Sequence, residues 1–257
     1  MPLVIAGFEL DWDWTAEDPL KGAVGPERFF HNPYYRILNA RRLEHLTTLR
    51  LPLEGKRVLE VGAGIGDLTE YFLDHGCAVT TTEGRPENVE FLTRRYRRDS
   101  RVTVARLDLD DPGPDPPPRH DIVCCYGVLY HLRHPAEAMA LIASLAGDLL
   151  LLETVVSPGS GDRCDLTPES TDRASQSLRG LAARPTRAWV LNRLREHLGH
   201  AYTTRSQPWH PEFPRDWSAV PPVGPAKRAV FVGSRSPISS PTMLGHLPVV
   251  HEQGAGD

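Results

Sequence analysis

The sequence predicts a doubly wound α/β fold, and two observations carry that prediction. Short apolar runs alternate with segments of helical spacing through the middle of the chain. The first of those runs ends in a glycine-rich turn that opens directly into a helix. Strand–helix alternation implies right-handed crossovers, and so a largely parallel sheet.

The expected strands are RVLEV (57–61), CAVTTT (77–82), VTVARL (102–107), DIVCCY (121–126) and DLLLLETVV (148–156). Their length and their Val, Leu and Ile content suit strands buried on both faces. Between the first two, DLTEYFLDHG sets Leu68, Tyr71 and Phe72 at helical spacing and stops at Gly76. PENVEFLTRRYRR follows the second strand and opens on Pro86, a residue suited to a first helical position. PAEAMALIASLAG, started by a proline and ended by a glycine, joins the fourth strand to the fifth. The third connection breaks this rhythm: DPGPDPPP (111–118) is mostly proline and glycine and must be a loop. Beyond it, 157–184 is polar and ambiguous, 186–199 reads as a helix, 206–217 as a proline-rich loop and 228–234 as a last strand. The tail after Ser236 is expected to be loosely held.

At 257 residues the chain is near the upper end of one α/β domain. The 29 basic and 33 acidic residues leave a net charge of −4, which argues against a nucleic-acid-coating or membrane-surface protein. RRYRRDSR (94–101) is strongly basic, but at a helix end it reads as a solvated terminus more readily than as an RNA contact. The four cysteines, Cys77, Cys124, Cys125 and Cys164, form no Cys-x-x-Cys pair, so neither a metal site nor a disulfide framework is expected. The opening MPLVIAGFELDWDW lacks a basic start and a long apolar core, and no run reaches membrane-spanning length. A cytoplasmic chain, monomeric or homodimeric, is the expectation.

The strongest signal is VLEVGAGIGD (58–67), where Gly62, Ala63, Gly64 and Gly66 lie between a strand and a helix. Such a turn brings backbone N–H groups close to a ligand. A dinucleotide turn wants glycine at its sixth position; here that position is Asp67, and Glu60 precedes the turn. Carboxylates repel a pyrophosphate and attract an ammonium or sulfonium ion.

With Glu60 and its glycines, Glu83 ending the second strand, Asp108 after the third, and DIVCCYGVLYHLRHP (121–135), the chain resembles the class I (Rossmann-like) S-adenosylmethionine-dependent methyltransferases. The resemblance covers about 55–156 and weakens toward 235. It implies a seven-stranded sheet with an antiparallel last strand, and S-adenosyl-L-methionine as cofactor. It also implies contacts from Glu83 and Gly84 to the ribose, from Asp108 and Leu109 to the adenine, and from Tyr126 to the methionine end. The implied organisation is an N-terminal helical cap (1–54), a catalytic domain (55–235) with a substrate lid at about 157–184, and a tail (236–257). The sequence phrases are most similar to methyltransferases of bacterial natural-product pathways and, more distantly, to enzymes modifying the tRNA wobble uridine. A small-molecule acceptor is therefore expected, with methylation at oxygen ahead of nitrogen or carbon. An RNA-modifying enzyme and a non-catalytic cofactor-binding protein are the alternatives.

His131, just beyond the fourth strand, is the candidate general base; the competing reading is a structural link between helix and loop. His134, beside Pro135, reads as helix entry, and two histidines at that spacing do not make a metal site. Glu153, closing the fifth strand, is a candidate for holding the acceptor or for pairing with an arginine. Tyr34, Tyr35 and Tyr130, with Trp209 and His210 in the proline-rich loop, are candidate acceptor contacts. Arg184, a further candidate acceptor contact, and Gln176 belong to the polar insertion expected to act as the lid.

Overall fold

The computed structural model describes residues 3–5, 8–10, 26–171, 176–221, 223 and 227–252. Of the expected cap, 1–2, 6–7 and 11–25 lie outside the described residues, as do 172–175 of the insertion and 253–257 of the tail. Strands β1 (Leu3–Ile5) and β2 (Phe8–Leu10) form a separate antiparallel pair. Helices α1 (Glu27–Phe30) and α2 (Pro33–Thr48) follow. Asn32 caps α2 by accepting the Tyr35 N–H at 2.9 Å, with Pro33 in the first helical position.

The predicted alternation is present from β3 (Arg57–Val61) through α3 (Asp67–Asp74), β4 (Ala78–Glu83), α4 (Pro86–Tyr96) and β5 (Val102–Arg106). It continues through β6 (His120–Tyr126), α5 (Pro135–Leu145) and β7 (Ala146–Val156). These five strands pair in parallel, in the order β7-β6-β3-β4-β5. Alternate side chains along each strand enter opposite layers. Val58, Cys124 and Leu151 pack with the α2, α3 and α4 residues, while Leu59, Val123 and Leu150 pack toward α5. Both faces are covered, as a parallel sheet requires. The carboxyl ends of β3, β4, β5 and β6 therefore share one edge, where ligands of such sheets bind.

The structure corrects the expectations in four places. The polar insertion holds an antiparallel hairpin, β8 (Cys164–Pro168) with β9 (Leu181–Pro185). After α6 (Arg187–Leu198), capped by the Thr186 hydroxyl, HAYTT forms a strand, β10 (His200–Thr204), that the sequence reading did not place. It pairs antiparallel with β11 (Lys227–Ser234), which also runs antiparallel to β7. The tail is not loose as far as it is described: β12 (Met243–Leu244) adds an eighth strand beside β10, and His251 is 2% exposed. Finally, Gly147 does not stop a helix but lies inside β7, where a Cβ would come 2.8 Å from the His120 carbonyl oxygen.

The buried tail has an energetic consequence. His45 and His251 are both buried, each with one ring nitrogen on a backbone carbonyl, Ser206 and Thr204 respectively. Burial pushes both imidazoles down to about 4. An unfolded chain protonates these rings near their ordinary value, so between about pH 6.5 and about pH 4 it binds more protons than the folded chain. Stability should therefore fall as pH drops through that window, by roughly 2–3 kcal/mol per histidine at its end. Urea midpoints measured at pH 7 and pH 5 check this. A flat response, or the same loss in a folded His45→Gln, His251→Gln double variant, would refute it.

Candidate active site

The glycine turn forms the floor of a cavity at the carboxyl edge of the sheet. Gly62, Gly64 and Gly66 all take positive φ (68°, 60° and 88°), a conformation costly for residues with a Cβ. The turn is also crowded. A Cβ on Gly62 would lie 2.3 Å from Val128, and one on Gly64 would lie 2.7 Å from the Phe30 ring. Gly64 donates its N–H to Glu83 at 3.0 Å, and Ala63 donates to the Thr82 carbonyl at 2.9 Å, tying the turn to the end of β4.

Glu60 lies in the cavity wall yet is only 3% exposed. Its carboxyl accepts a hydrogen bond from the Thr69 hydroxyl on α3, and among the described residues no cation pairs with it. Burial pushes it up to about 8. Glu83 accepts the N–H groups of Gly64, Gly84 and Arg85; burial still raises its pKa. Asp67, Asp108 and Asp110 add further acid to the same wall, against Arg42 and Arg85. Such a wall favours a cationic ligand and disfavours a phosphate. Glu60, Gly62, Ala63, Glu83, Gly84, Asp108, Leu109 and Tyr126 all line it. Gly64 and Gly66 shape the turn from behind, Gly66 by accepting the Tyr96 hydroxyl at 2.8 Å. Tyr126 presents a buried hydroxyl that has no hydrogen-bond partner among the described residues.

The insertion reaches this cavity. Gln176 and Leu178 join its wall, and Leu178 lies against Gly84. Arg85 donates to the carbonyls of Thr171, Gln176 and Ser177, and Arg179 reaches Asp108 at 2.8 Å. His131 Nδ1 lies 2.5 Å from Glu169 Oε2. His131 lines the cavity, and burial holds its imidazole below the ordinary value, so it is neutral at pH 7. Burial alone would raise Glu169, but His131 brings it below the usual carboxylate range.

Other expected acceptor contacts fall elsewhere. Tyr35 and Tyr130 line the cavity, whereas Tyr34, Glu153, Arg184, Trp209 and His210 do not. Glu153 is wholly buried and paired with Arg42 and Arg228, so its oxygens are committed to the protein. Arg228 also reaches Glu212 and the Tyr130 hydroxyl, and Tyr34 donates to Glu212 at 2.5 Å. His210 is packed edge-on to Tyr34 and Phe213. Trp209 lies on the surface beneath the Arg41 guanidinium. Arg184 donates to the Tyr130 and Ala183 carbonyls, fixing backbone behind the site. His134 occupies the N-cap position of α5, as expected. Arg94, Arg95 and Arg101 of the basic run pair with nearby acids. Thr69, Arg42, Asn39, Arg85, Glu169 and Arg179 were missed. Only Arg85, two residues from Glu83, had a local signal.

The family described as Methyltransferase domain matches residues 34–207. The chain is 35% identical over 137 residues to Ubiquinone biosynthesis O-methyltransferase of Xanthomonas euvesicatoria pv. vesicatoria (strain 85-10), covering 52% of this chain and 54% of that protein. It is 28% identical over 163 residues to tRNA U34 carboxymethyltransferase of Dichelobacter nodosus (strain VCS1703A), covering 62% and 44%. The chain thus spans about half the length of the relatives it matches. The N-terminal domain of EvdMO1, solved with SAH and D-fucose, superposes with a TM-score of 0.57 at 17% identity, covering 91% of this chain and 89% of that one. Magnesium protoporphyrin IX methyltransferase (ChlM) from Synechocystis PCC 6803, solved with bound SAH, gives 0.52 at 15% identity, covering 80% and 88%. Both share the fold. With a glycine turn walled by carboxylates at the edge of that Rossmann-like fold, the chain belongs to the methyltransferase domain family.

Proposed function

We propose that the chain methylates a hydroxyl group of a small-molecule acceptor, with His131 as general base. The observation that carries the reading is a buried, neutral imidazole in the wall of the cofactor cavity, beside Tyr35 and Tyr130. When bound, S-adenosylmethionine would supply an electrophilic methyl group for transfer to an oxygen nucleophile. Glu60, Glu83 and Asp108, with the glycine turn, are the residues that would hold it. The residues fit, because Glu60 is a buried carboxyl lacking a cation and the acids around it outnumber the arginines. His131 takes the hydroxyl proton as the oxygen attacks, and Phe30 and Leu178, in the cavity wall, help to exclude water. An O-methyltransferase among the relatives supports oxygen as the methylated atom.

A second reading, RNA modification, draws on the tRNA-modifying relative. The net charge of −4 and the internal pairing of Arg94, Arg95 and Arg101 weigh against it. Release of adenosylhomocysteine, measured over panels of phenols, alcohols and amines and over bulk tRNA, decides between the two. Turnover with hydroxyl acceptors is expected, reduced about 10²–10⁴-fold in His131→Ala. Turnover confined to tRNA or amines, or a His131→Ala variant within a few-fold of wild type, would overturn the proposal.

A further inference from the structure

The geometry assigns Glu169, in the insertion after β8, as the positioning residue that fixes the tautomer and orientation of His131. The assignment rests on the reading of His131 as base and deepens it. A carboxylate only accepts, so at 2.5 Å from Glu169 Oε2 the proton of neutral His131 resides on Nδ1. That leaves Nε2 as a bare acceptor, and among the described residues nothing else engages it. Without such a partner a neutral imidazole distributes its proton over both nitrogens, and an Nε2–H form cannot act as a base through that atom.

Glu169 is itself held. Its Oε2 accepts the Ser177 N–H at 2.9 Å, and its own N–H donates to the Gly180 carbonyl at 3.0 Å. The chain from Ser177 onward then places Leu178 against Gly84 and Arg179 on Asp108. One short insertion therefore orients the candidate base and also touches the expected adenine acid. Arg184 on β9 and Arg228 on β11 also act on His131 and oppose its protonation, whereas Glu169 favours it. The Tyr130 ring packs on the imidazole at a centroid distance of 4.0 Å.

The test needs no acceptor. Long-range ¹H–¹⁵N spectra of adenosylhomocysteine-bound protein report the His131 tautomer and its titration midpoint. Wild type should show protonated Nδ1 and bare Nε2. Glu169→Ala should shift the population toward Nε2–H, and Glu169→Gln should lower the midpoint, since the favouring charge is gone. Glu169→Asp keeps the charge and should restore the midpoint in part. With an acceptor in hand, kcat of Glu169→Gln should fall about 10²-fold, the scale of a misplaced reacting group. The acid limb of its profile should move to lower pH, and KM should change little. An unchanged tautomer and midpoint in Glu169→Ala and Glu169→Gln, folded by circular dichroism, would overturn the assignment even if His131→Ala proves inactive. An active His131→Ala would instead remove the base reading while leaving the tautomer result intact.

Discussion

Replacing Glu60 by alanine should weaken adenosylhomocysteine binding by roughly 30-fold to several thousand-fold, the range for truncating one partner of a buried, charged pair. The reason lies in the empty state. Glu60 is 3% exposed, bonded to the Thr69 hydroxyl, and pushed up to about 8 by burial. At pH 7 it is therefore mostly protonated before ligand arrives. A bound ammonium favours the ionised carboxylate and lowers its pKa, so binding expels a proton wherever the empty protein still holds one. Affinity should rise with pH from about 6 to about 8, by at most tenfold per unit, and level off above that. Calorimetry in buffers of different ionisation enthalpy measures both the affinity and the proton released. Glu60→Gln, which cannot titrate, should bind weakly with a flat profile. Near-wild-type affinity in either variant would remove Glu60 from the cofactor site.

What the sequence made legible was local. The strands from Arg57 to Val156 announce themselves by apolar runs, and the turn by three glycines in register, because period and backbone conformation are properties of neighbouring residues. Glu60, Glu83 and Asp108 were readable because each stands a fixed distance from a strand end. HAYTT was not readable, since its strand character comes from pairing with β11, some thirty residues on. Glu169 and Arg179 carry no signature in a polar stretch; their meaning arises from partners at His131 and Asp108, 38 and 71 residues away. Trp209 misled for the opposite reason. An aromatic residue in a proline-rich loop suggests a pocket wall, but here it stacks outward under Arg41.

Glu153→Ala should be among the most destabilising single substitutions in the chain. The sequence left this residue between acceptor binding and an arginine pair, and the structure gives it two arginines. Arg42 comes from α2 and Arg228 from β11, both nearly buried, so Glu153 joins the helical layer to the reversed strand through the end of β7. The pairing is not in itself a large source of stability, because burying three charges costs desolvation of similar size. Removing the shared carboxylate is different. It leaves two guanidinium groups facing each other in a dry interior, with Arg228 still held by Glu212 and Arg42, among the described residues, by Asn39. A loss of about 3–5 kcal/mol is expected, or roughly 6–20 °C in melting temperature for a domain of this size. Glu153→Gln, which keeps the shape and one acceptor oxygen, should fall between wild type and alanine. Arg42 and Tyr130 also line the cavity, so Glu153→Gln should lose turnover well below its melting temperature. Calorimetric melting of the three proteins separates these outcomes. An alanine variant that melts within about 2 °C of wild type would mean that Arg42 and Arg228 find water once the carboxylate is gone, and that the network does not join the two layers.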